Sequence, residues 1–483
     1  MHQNHVTSRE QRWPTNHATS WFRLPAVIGL VLALAMTAST LVFGGVTALG
    51  FAPVQMAVAV LAMAVFWRRG FPRLSRATAA VVVTLCVAPL VQWIRLPRFV
   101  VGILSPARLD LADRLSVLGA GLPQTLALTV NSYETRLALL RLICYLLVFL
   151  LAMRAYQLSG DQPILLALLI GLGVFEASYG IIQYLTGWQY IFFFQKQFDT
   201  EEATGTYINR NHYAGLLEMV IPFVLARVLI GPSSRPHGMP LWRRLLTSSR
   251  SSRVLRDAVV LVVLVVGLLF SRSRMGIAAA VLGMVLAAVL AHRQGYRSVG
   301  IGLLLVLLLA GAYASWIGLS PVVERFAHTQ QQGIFEENRI PVWRDTVALI
   351  RDYPVFGTGL GTYTWSSLHY QSDLLSVRYD HAHNDYLELA ADLGVPAAVV
   401  FWAGLWILLG KVSRKALRLH RSHDQILAVG CAGALLALSL HSLTDFNLQI
   451  PSNAFLFSWI AGTAAGIVQK GAGSGPGSFP VSK

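Results

Sequence analysis

Twelve apolar runs, each long enough to cross a lipid bilayer, leave this chain little choice of architecture. They lie at about 24–44, 50–67, 77–94, 138–156, 163–186, 211–231, 257–274, 276–292, 300–318, 396–413, 425–444 and 454–470. Lipid offers no water to satisfy backbone N–H and C=O groups, so each run is predicted to be a helix that closes its own hydrogen bonds. A crossing takes roughly 20 apolar residues. Of the 483 residues 55% are hydrophobic and 13% charged, where a soluble domain carries about 25% charged residues. The expected fold is all-α: a polytopic integral membrane protein of about twelve transmembrane helices with one large helical loop.

A net charge of +16 would point a soluble chain toward nucleic acid, but its distribution is topological. Segments 1–23, 67–76, 152–162, 232–256, 292–299, 411–424 and 470–483 hold 23 Lys and Arg against three acids, Glu10, Asp161 and Asp424. The positive-inside rule places these segments, and both termini, in the cytoplasm. No nucleic-acid partner is expected. The remaining segments face outward, which in a Gram-negative bacterium means from the inner membrane into the periplasm.

The predicted organisation is a cytoplasmic leader 1–23, nine helices over 24–318 with outward segments 95–137 and 187–210, an outward loop subdomain 319–395, three helices over 396–470, and a flexible tail 471–483. The leader carries no small-residue cleavage signal and reads as the approach to an uncleaved first helix. Segment 95–137 alternates charges with short apolar stretches, as helices lying on a membrane surface do. Cys86, Cys144 and Cys431 all sit in apolar runs, which argues for no disulfide framework and no metal site.

Once orientation is set, cations on the outer side are the informative residues, because topology selects against them there. Asn209, Arg210, Asn211 and His212 crowd the outer mouth of the sixth span. Arg272 and Arg274 lie in the outer turn between the seventh and eighth, and Arg339 lies in the large loop. Taken singly, Arg272 and Arg274 also suit snorkelling anchors, and Arg210 a surface or capping residue. Arg344 and Arg351 fall on one face of a predicted helix 341–352 and read as a solvated stripe. Taken together, the outer arginines fit one partner of dense negative charge at the membrane surface, a lipid-borne diphosphate, which guanidinium groups hold by bidentate hydrogen bonds.

Glu176 and Glu218 are carboxylates within spans. Glu218 shares a helix face with Asn211 and is read as a partner that orients a neighbouring Arg or His. The stretch Asp380-His-Ala-His-Asn-Asp-Tyr-Leu-Glu-Leu-Ala-Ala-Asp-Leu-Gly394-Val-Pro396 reads as a polar cap, a short helix ending at Gly394, and Pro396 opening the tenth span. Asn384 is the predicted cap. His383 then sits at a helix start, where the dipole disfavours the imidazolium, and a neutral imidazole accepts a proton from a hydroxyl. His381 is its neighbour, but with no third ligand the pair does not make a metal site. The Gly-rich run 353–363 lacks the Lys-Ser/Thr ending of a P-loop; an anion-holding nest and a plain tight turn are its two readings, the second favoured.

The sequence Gly-Thr-Tyr-Ile-Asn-Arg-Asn-His-Tyr-Ala-Gly (205–215), Ser-Arg-Ser-Arg-Met-Gly (271–276), Arg339 with Trp343, Pro-Val-Phe-Gly-Thr-Gly-Leu-Gly (354–361) and His383-Asn-Asp-Tyr-Leu resembles the O-antigen ligase and Wzy-type polymerase superfamily over about residues 170–400. His383-Asn384, nine residues, then Gly394 is similar to the ligase pattern, while Val395-Pro396-Ala397-Ala398 replaces the Thr-Thr that ends it. The resemblance implies an inverting, metal-independent glycosyl transfer without cofactor at the periplasmic face. The donor would be an undecaprenyl-diphosphate-linked glycan, and the acceptor a hydroxyl of another glycan, a lipid A core sugar or a protein. It implies that His383 activates the acceptor and that Arg210, Arg274 and Arg339, with Arg272, hold the diphosphate. Asn211, His212, Glu218, His381 and Asn384 would support them.

Two alternatives accompany this expectation: a protein O-oligosaccharyltransferase, and a multi-spanning transporter of a lipid or glycan. Twelve spans with inward termini also suit a carrier. The basic loop 67–76 lacks the acid of the major-facilitator signature, however, and a carrier has no evident use for a large outer loop with a histidine cap. A multi-spanning transferase using a dolichyl-phosphate sugar would place paired acids in the first outer loop, which here is Gly-Val-Thr-Ala-Leu.

Overall fold

The computed structural model describes residues 24–121, 123–159, 162–230, 249–292, 339–372, 378–419 and 422–470. In chain order its helices are α1 (Leu24–Leu41), α2 (Ala48–Arg69), α3 (Arg76–Trp93), α4 (Arg98–Leu104), α5 (Pro106–Leu115), α6 (Ser132–Ser159), α7 (Pro163–Thr186) and α8 (Arg210–Leu229). There follow α9 (Ser249–Phe270), α10 (Arg274–His292), α11 (Arg339–Asp352), α12 (Tyr363–Ser366), α13 (Asp385–Leu393), α14 (Val395–Ala416), α15 (Ser422–His441) and α16 (Pro451–Gln469). The only strands among the described residues form two short antiparallel pairs, Arg95–Pro97 with Thr125–Ala127 and Tyr190–Ile191 with Phe194–Gln195.

Among the described residues, nine helices are long and apolar enough to cross a membrane: α1, α2, α3, α6, α7, α8, α10, α14 and α15. Helices α9, of 22 residues, and α16, of 19, fall on two further predicted crossings. The protein is an all-α polytopic membrane protein. The predicted span at 300–318, the first quarter of the large loop at 319–338, the leader and the tail lie outside the described residues. Among the predicted boundaries that move, α6 begins six residues and α9 eight residues before their apolar runs, and the turn between α9 and α10 closes before Arg274, which starts α10.

Segments far apart in sequence meet on one face. Gln92, near the end of α3, donates from Nε2 to the carbonyls of Phe356 (2.5 Å) and Asp392 (2.7 Å), and its Oε1 accepts from the Leu360 amide. That one side chain fastens the Gly-rich turn and the end of α13 to a membrane helix. Gly359 in the turn has φ +118°, and a side chain there would run into Thr129, so only glycine fits. Helices α4 and α5 lie in segment 95–137 beside the first strand pair, Val101 and Ala112 packing on Leu126 and Leu128.

Helix α8 is the axis of the bundle, its apolar stretch almost wholly buried and packed by α9, α10 and α15. Helix α16 runs along α6 and meets α14, which in turn packs on α3. Without a hydrophobic force between helices in lipid, such contacts depend on close backbone approach at small residues. Gly462 of α16 lies so close to α6 that a Cβ would collide with the Phe149 carbonyl. Gly462→Val is expected to cost about 1–3 kcal/mol through overpacking, read as a lower unfolding temperature in detergent, whereas Ala464→Gly, on the same helix without that collision, leaves the α6 contact in place.

Candidate functional site

The sixth-span motif opens α8. Asn209 caps the helix, its side-chain oxygen accepting from the Asn211 amide at 2.7 Å. Arg210 donates its amide to Asp199 at 2.8 Å, and its guanidinium meets Glu202 at 2.5 Å and Asp199 at 3.7 Å. Arg272 lies 3.9 Å from Glu201 and 4.0 Å from Glu202. The acidic loop 199–202 thus draws Arg210 and Arg272 together. Asn211 accepts from the Ser273 hydroxyl at 2.8 Å, which locks the start of α8 to the turn that delivers Arg274.

The histidine motif folds as its sequence predicts. Asn384 Oδ1 accepts from the amides of Tyr386 and Leu387 at 3.0 and 3.1 Å, and its Nδ2 donates to the Leu443 carbonyl at 2.8 Å. Gly394 ends α13, and Pro396 stands in the first turn of α14. Val395-Pro396-Ala397-Ala398, where the ligase pattern departs, builds that turn, with Ala397 packed on Leu85. His383, just before the cap, has φ +48°, a left-handed conformation that costs a residue with a side chain about 1–2 kcal/mol.

What joins these motifs is Asp445, in the segment between α15 and α16. Its carboxylate, 1% exposed, lies 3.4 Å from the Arg339 guanidinium, 3.6 Å from His212 Nε2 and 3.9 Å from His383 Nδ1. Its Oδ1 also accepts from the Phe446 amide at 2.8 Å. The next residue, Phe446, gathers three imidazoles: His381 stacks on its ring at 4.2 Å, while His212 and His383 meet it edge-on at 4.6 and 4.8 Å. Trp343 Nε1 donates to the Ala382 carbonyl at 3.1 Å and ties α11 to the histidine motif.

The electrostatics differ from one histidine to the next. Burial pushes His383 down to about 4; Asp445 pulls the other way, but Arg339, His381 and His212 reinforce the drop. His383 is therefore neutral at physiological pH. Burial would lower His381 too, yet the Glu388 carboxylate at 2.7 Å outweighs it and raises the ring above its ordinary value. Burial would raise Asp445; the facing His212, Arg339 and His441 reverse this and hold it well below the usual carboxylate range. Asp385, whose amide donates to the Ser442 and Asp445 carbonyls at 2.9 and 3.2 Å, is raised well above its ordinary value by burial.

Glu218 faces His441 Nδ1 at 2.9 Å, an interhelical pair between α8 and α15 one layer deeper. Glu176 accepts from the Thr206 amide at 2.8 Å and its hydroxyl at 2.7 Å, holding the loop before α8. In the Gly-rich turn the amides are already occupied: Gly361 donates to the Asp392 carboxylate at 2.6 Å and Gly359 to the Asp392 carbonyl at 3.0 Å. It is a tight turn closed by a carboxylate from α13.

Contacts therefore run from Ser273 through Asn211 to His212 and on to Asp445, where Arg339 and His383 converge, while Arg210 and Arg272 sit on the acidic loop. Asp445 and Phe446 are not legible in the sequence, where residues 445–453 read only as the connection between the last two predicted spans. An acid just past the end of a predicted span, with no Lys or Arg near it in sequence, is the available signal.

Removing the Asn384 cap leaves the first amides of α13 without their partner and frees the backbone beside His383. Asn384→Ala is expected to cost about 0.5–2 kcal/mol in thermal unfolding, and Asn384→Asp, which keeps the accepting oxygen but loses the donor to the Leu443 carbonyl, to recover only part of the loss.

Residues 259–402 match the family model described as O-Antigen ligase. The matched span takes in Arg272, Arg274, Arg339 and His383, and stops short of Arg210 and Asp445. No curated protein matches the chain.

Proposed function

We propose, on the premise that the chain belongs to the O-antigen ligase and Wzy-type polymerase superfamily, that it is an inverting, metal-independent glycosyltransferase. It moves a glycan from undecaprenyl diphosphate to an acceptor hydroxyl on the periplasmic side of a bacterial inner membrane. The acceptor is a sugar hydroxyl of lipid A core or of a second lipid-linked glycan. The observation that carries this is the meeting of a neutral imidazole, His383, and a guanidinium, Arg339, on one buried carboxylate, Asp445.

In this mechanism His383 Nδ1 faces Asp445, and Nε2 takes the proton of the acceptor hydroxyl as its oxygen attacks the anomeric carbon. The bond from that carbon to the diphosphate oxygen breaks on the opposite face, which inverts the configuration. Charge developing on the diphosphate is taken up by Arg339 and Arg274, with Arg210 and Arg272 at the acidic loop, since preorganised donors act most strongly where charge appears. Asp445, 3.9 Å from the ring, stabilises the imidazolium formed in the step. Asn211, His212 and Glu218 position these groups; His381, paired with Glu388, keeps the loop before Asn384 in its turn.

The test is transfer by purified protein supplied with a lipid-linked glycan and acceptor. His383→Ala is expected to lower the rate by about 100-fold or more, the loss typical of removing one catalytic proton transfer, and Arg339→Ala by a similar factor. Turnover at the wild-type rate by His383→Ala, or movement of a solute across vesicles with no new glycosidic product, overturns the proposal.

The pH profile gives an independent check. Because the base is the unprotonated ring and His383 lies at about 4, the acid limb of the rate is expected well below the ordinary histidine value of about 6.5. Activity is then retained at pH 6 and lost only as the pH approaches 4. Arg339 is one of the groups that lower His383, so Arg339→Gln moves that limb to higher pH.

A further inference from the structure

The segment between α7 and α8 carries a feature that glycosyl transfer as described above does not use. Residues 187–195 read Gly-Trp-Gln-Tyr-Ile-Phe-Phe-Phe-Gln and include no charged side chain. They fold into the second strand pair, a hairpin whose two-residue turn is Phe192-Phe193. Phe192 has φ +52°, a conformation that such turns ordinarily assign to Gly, Asn or Asp. Phe193 is 95% exposed and Phe194 62%, so the protein leaves the ring at the tip almost wholly uncovered. An exposed apolar patch on a strained turn marks a surface that something outside the chain covers.

The hairpin lies back along α7 and does not stand away from it. Tyr179 Oη donates to the Tyr190 carbonyl at 3.2 Å and accepts from the Phe192 amide at 2.8 Å, and Gln183 Nε2 donates to the same carbonyl at 2.9 Å. The Tyr179 ring meets Phe192 and Trp188, each at 5.7 Å between centroids, and Phe175 continues the stack at 5.9 Å.

These contacts fix the depth of the tip. Helix α7 crosses the membrane with 24 residues, about 36 Å against a hydrocarbon layer of about 30 Å. Tyr179 stands seven residues before its end at Thr186, which is about 10 Å. Even with all the excess length projecting on this side, Tyr179 lies about 4 Å inside the layer. Phe194 has a marker of its own, since it meets Phe43 edge-on at 5.2 Å. Phe43 is two residues past the end of α1, a crossing of 18 residues that rises about 27 Å and so stops at the edge of the layer.

The chemistry of the hairpin suits that depth. Trp188 and Tyr190 at its base are the residues that gather at a membrane interface, and the exposed Ile182 and Leu185 of α7 continue its apolar side toward lipid. Backbone groups in lipid need partners within the protein; the Tyr179 hydroxyl supplies one to the Phe192 amide and one to the Tyr190 carbonyl. The first charged side chain after the tip, Lys196, turns inward and donates to the Glu202 carbonyl at 2.8 Å. A glycan platform would pair ring faces with hydrogen-bonding side chains, and Phe192, Phe193 and Phe194 offer none.

We propose that hairpin 188–195 is a bilayer anchor: Phe193 and Phe194 insert into the leaflet at this end of α7, and the partner is the acyl region of bulk lipid. The anchor also sets the height of the acidic loop 199–202. Lys196 holds Glu202, and Glu202 holds Arg210, so the inserted tip is tied to an arginine of the site through two side chains. This inference stands apart from the transfer chemistry.

The experiment is spin labelling of the full chain in phosphatidylcholine nanodiscs. Cys86→Ala removes the one cysteine that is not buried, and Phe193→Cys carries the nitroxide. Collisions with oxygen, which concentrates in lipid, are compared with collisions with a water-soluble nickel chelate. Glu201→Cys, in the acidic loop where the native side chain is 84% exposed, is the wet reference. The oxygen-to-nickel ratio is expected to be about tenfold or more higher at 193 than at 201, the partition factor of a buried apolar side chain. A second measurement is amide exchange over residues 190–202: Phe193→Ser is expected to speed it by about the same factor, and Phe193→Leu to keep the wild-type rate. Should the labelled chain fail to fold, this exchange pair decides.

Nickel access at 193 equal to that at 201, or wild-type exchange in Phe193→Ser, overturns the anchor. So does shielding of 193 from both reagents, which assigns the tip to a second copy of the chain, or loss of nickel access only after a soluble oligosaccharide is added, which makes it a glycan platform. His383→Ala is expected to leave both readings at their wild-type values, so a failure of the transfer proposal and a failure of the anchor are told apart.

Discussion

A carboxylate taken almost wholly out of water stays ionised only where cations and N–H dipoles replace the solvent it has lost. Asp445 is such a group, and meeting its needs organises one end of the protein. Its partners come from the start of α8, the start of α11 and the loop before α13, segments spread over about 170 residues. Each has to arrive in register, and the anchors that ensure this are separate: Asn211 on Ser273, Trp343 on Ala382, Asn384 on Leu443. The site is thus held by capping and loop contacts around one charge, and the membrane helices fix only where those loops begin and end.

Much of this was legible in the sequence because it rests on local rules. Span positions follow from apolar length, and the α13 cap from Asn384 with Gly394 ten residues on. The arginines stood out because topology disfavours them where they lie. Asp445 was hidden for the opposite reason: an acid on the side predicted to face outward conforms to the charge rule, and nothing in the surrounding sequence announces that His212, Arg339 and His383 will meet it. The fate of the Gly-rich turn was equally non-local, since the groups that occupy its amides, Asp392 and Gln92, come from helices about 30 residues downstream and nearly 270 upstream.

Strain collects at the same places. Among the described residues, five residues other than glycine have positive φ, and three of them, Asp199, Arg272 and His383, belong to the motifs discussed here. Left-handed backbone persists only where its surroundings over-determine it. At His383 those surroundings are the Asn384 cap and the Glu388 carboxylate, which accepts the Ala382 amide at 2.8 Å. The backbone at His383 is therefore fixed from both sides, and its ring reaches Asp445 without having to be ordered first.

Phe446 has an effect that goes beyond packing. Three imidazoles touch its ring, and a phenyl ring has neither a proton to give nor a lone pair to take one. It stands among His381, His212 and His383 as an insulator, so a proton captured on one imidazole has no hydrogen-bonded path through Phe446 to the other two. His381, already biased toward the charged form, and His383, biased toward the neutral one, can hold opposite protonation states a few ångströms apart without exchanging them.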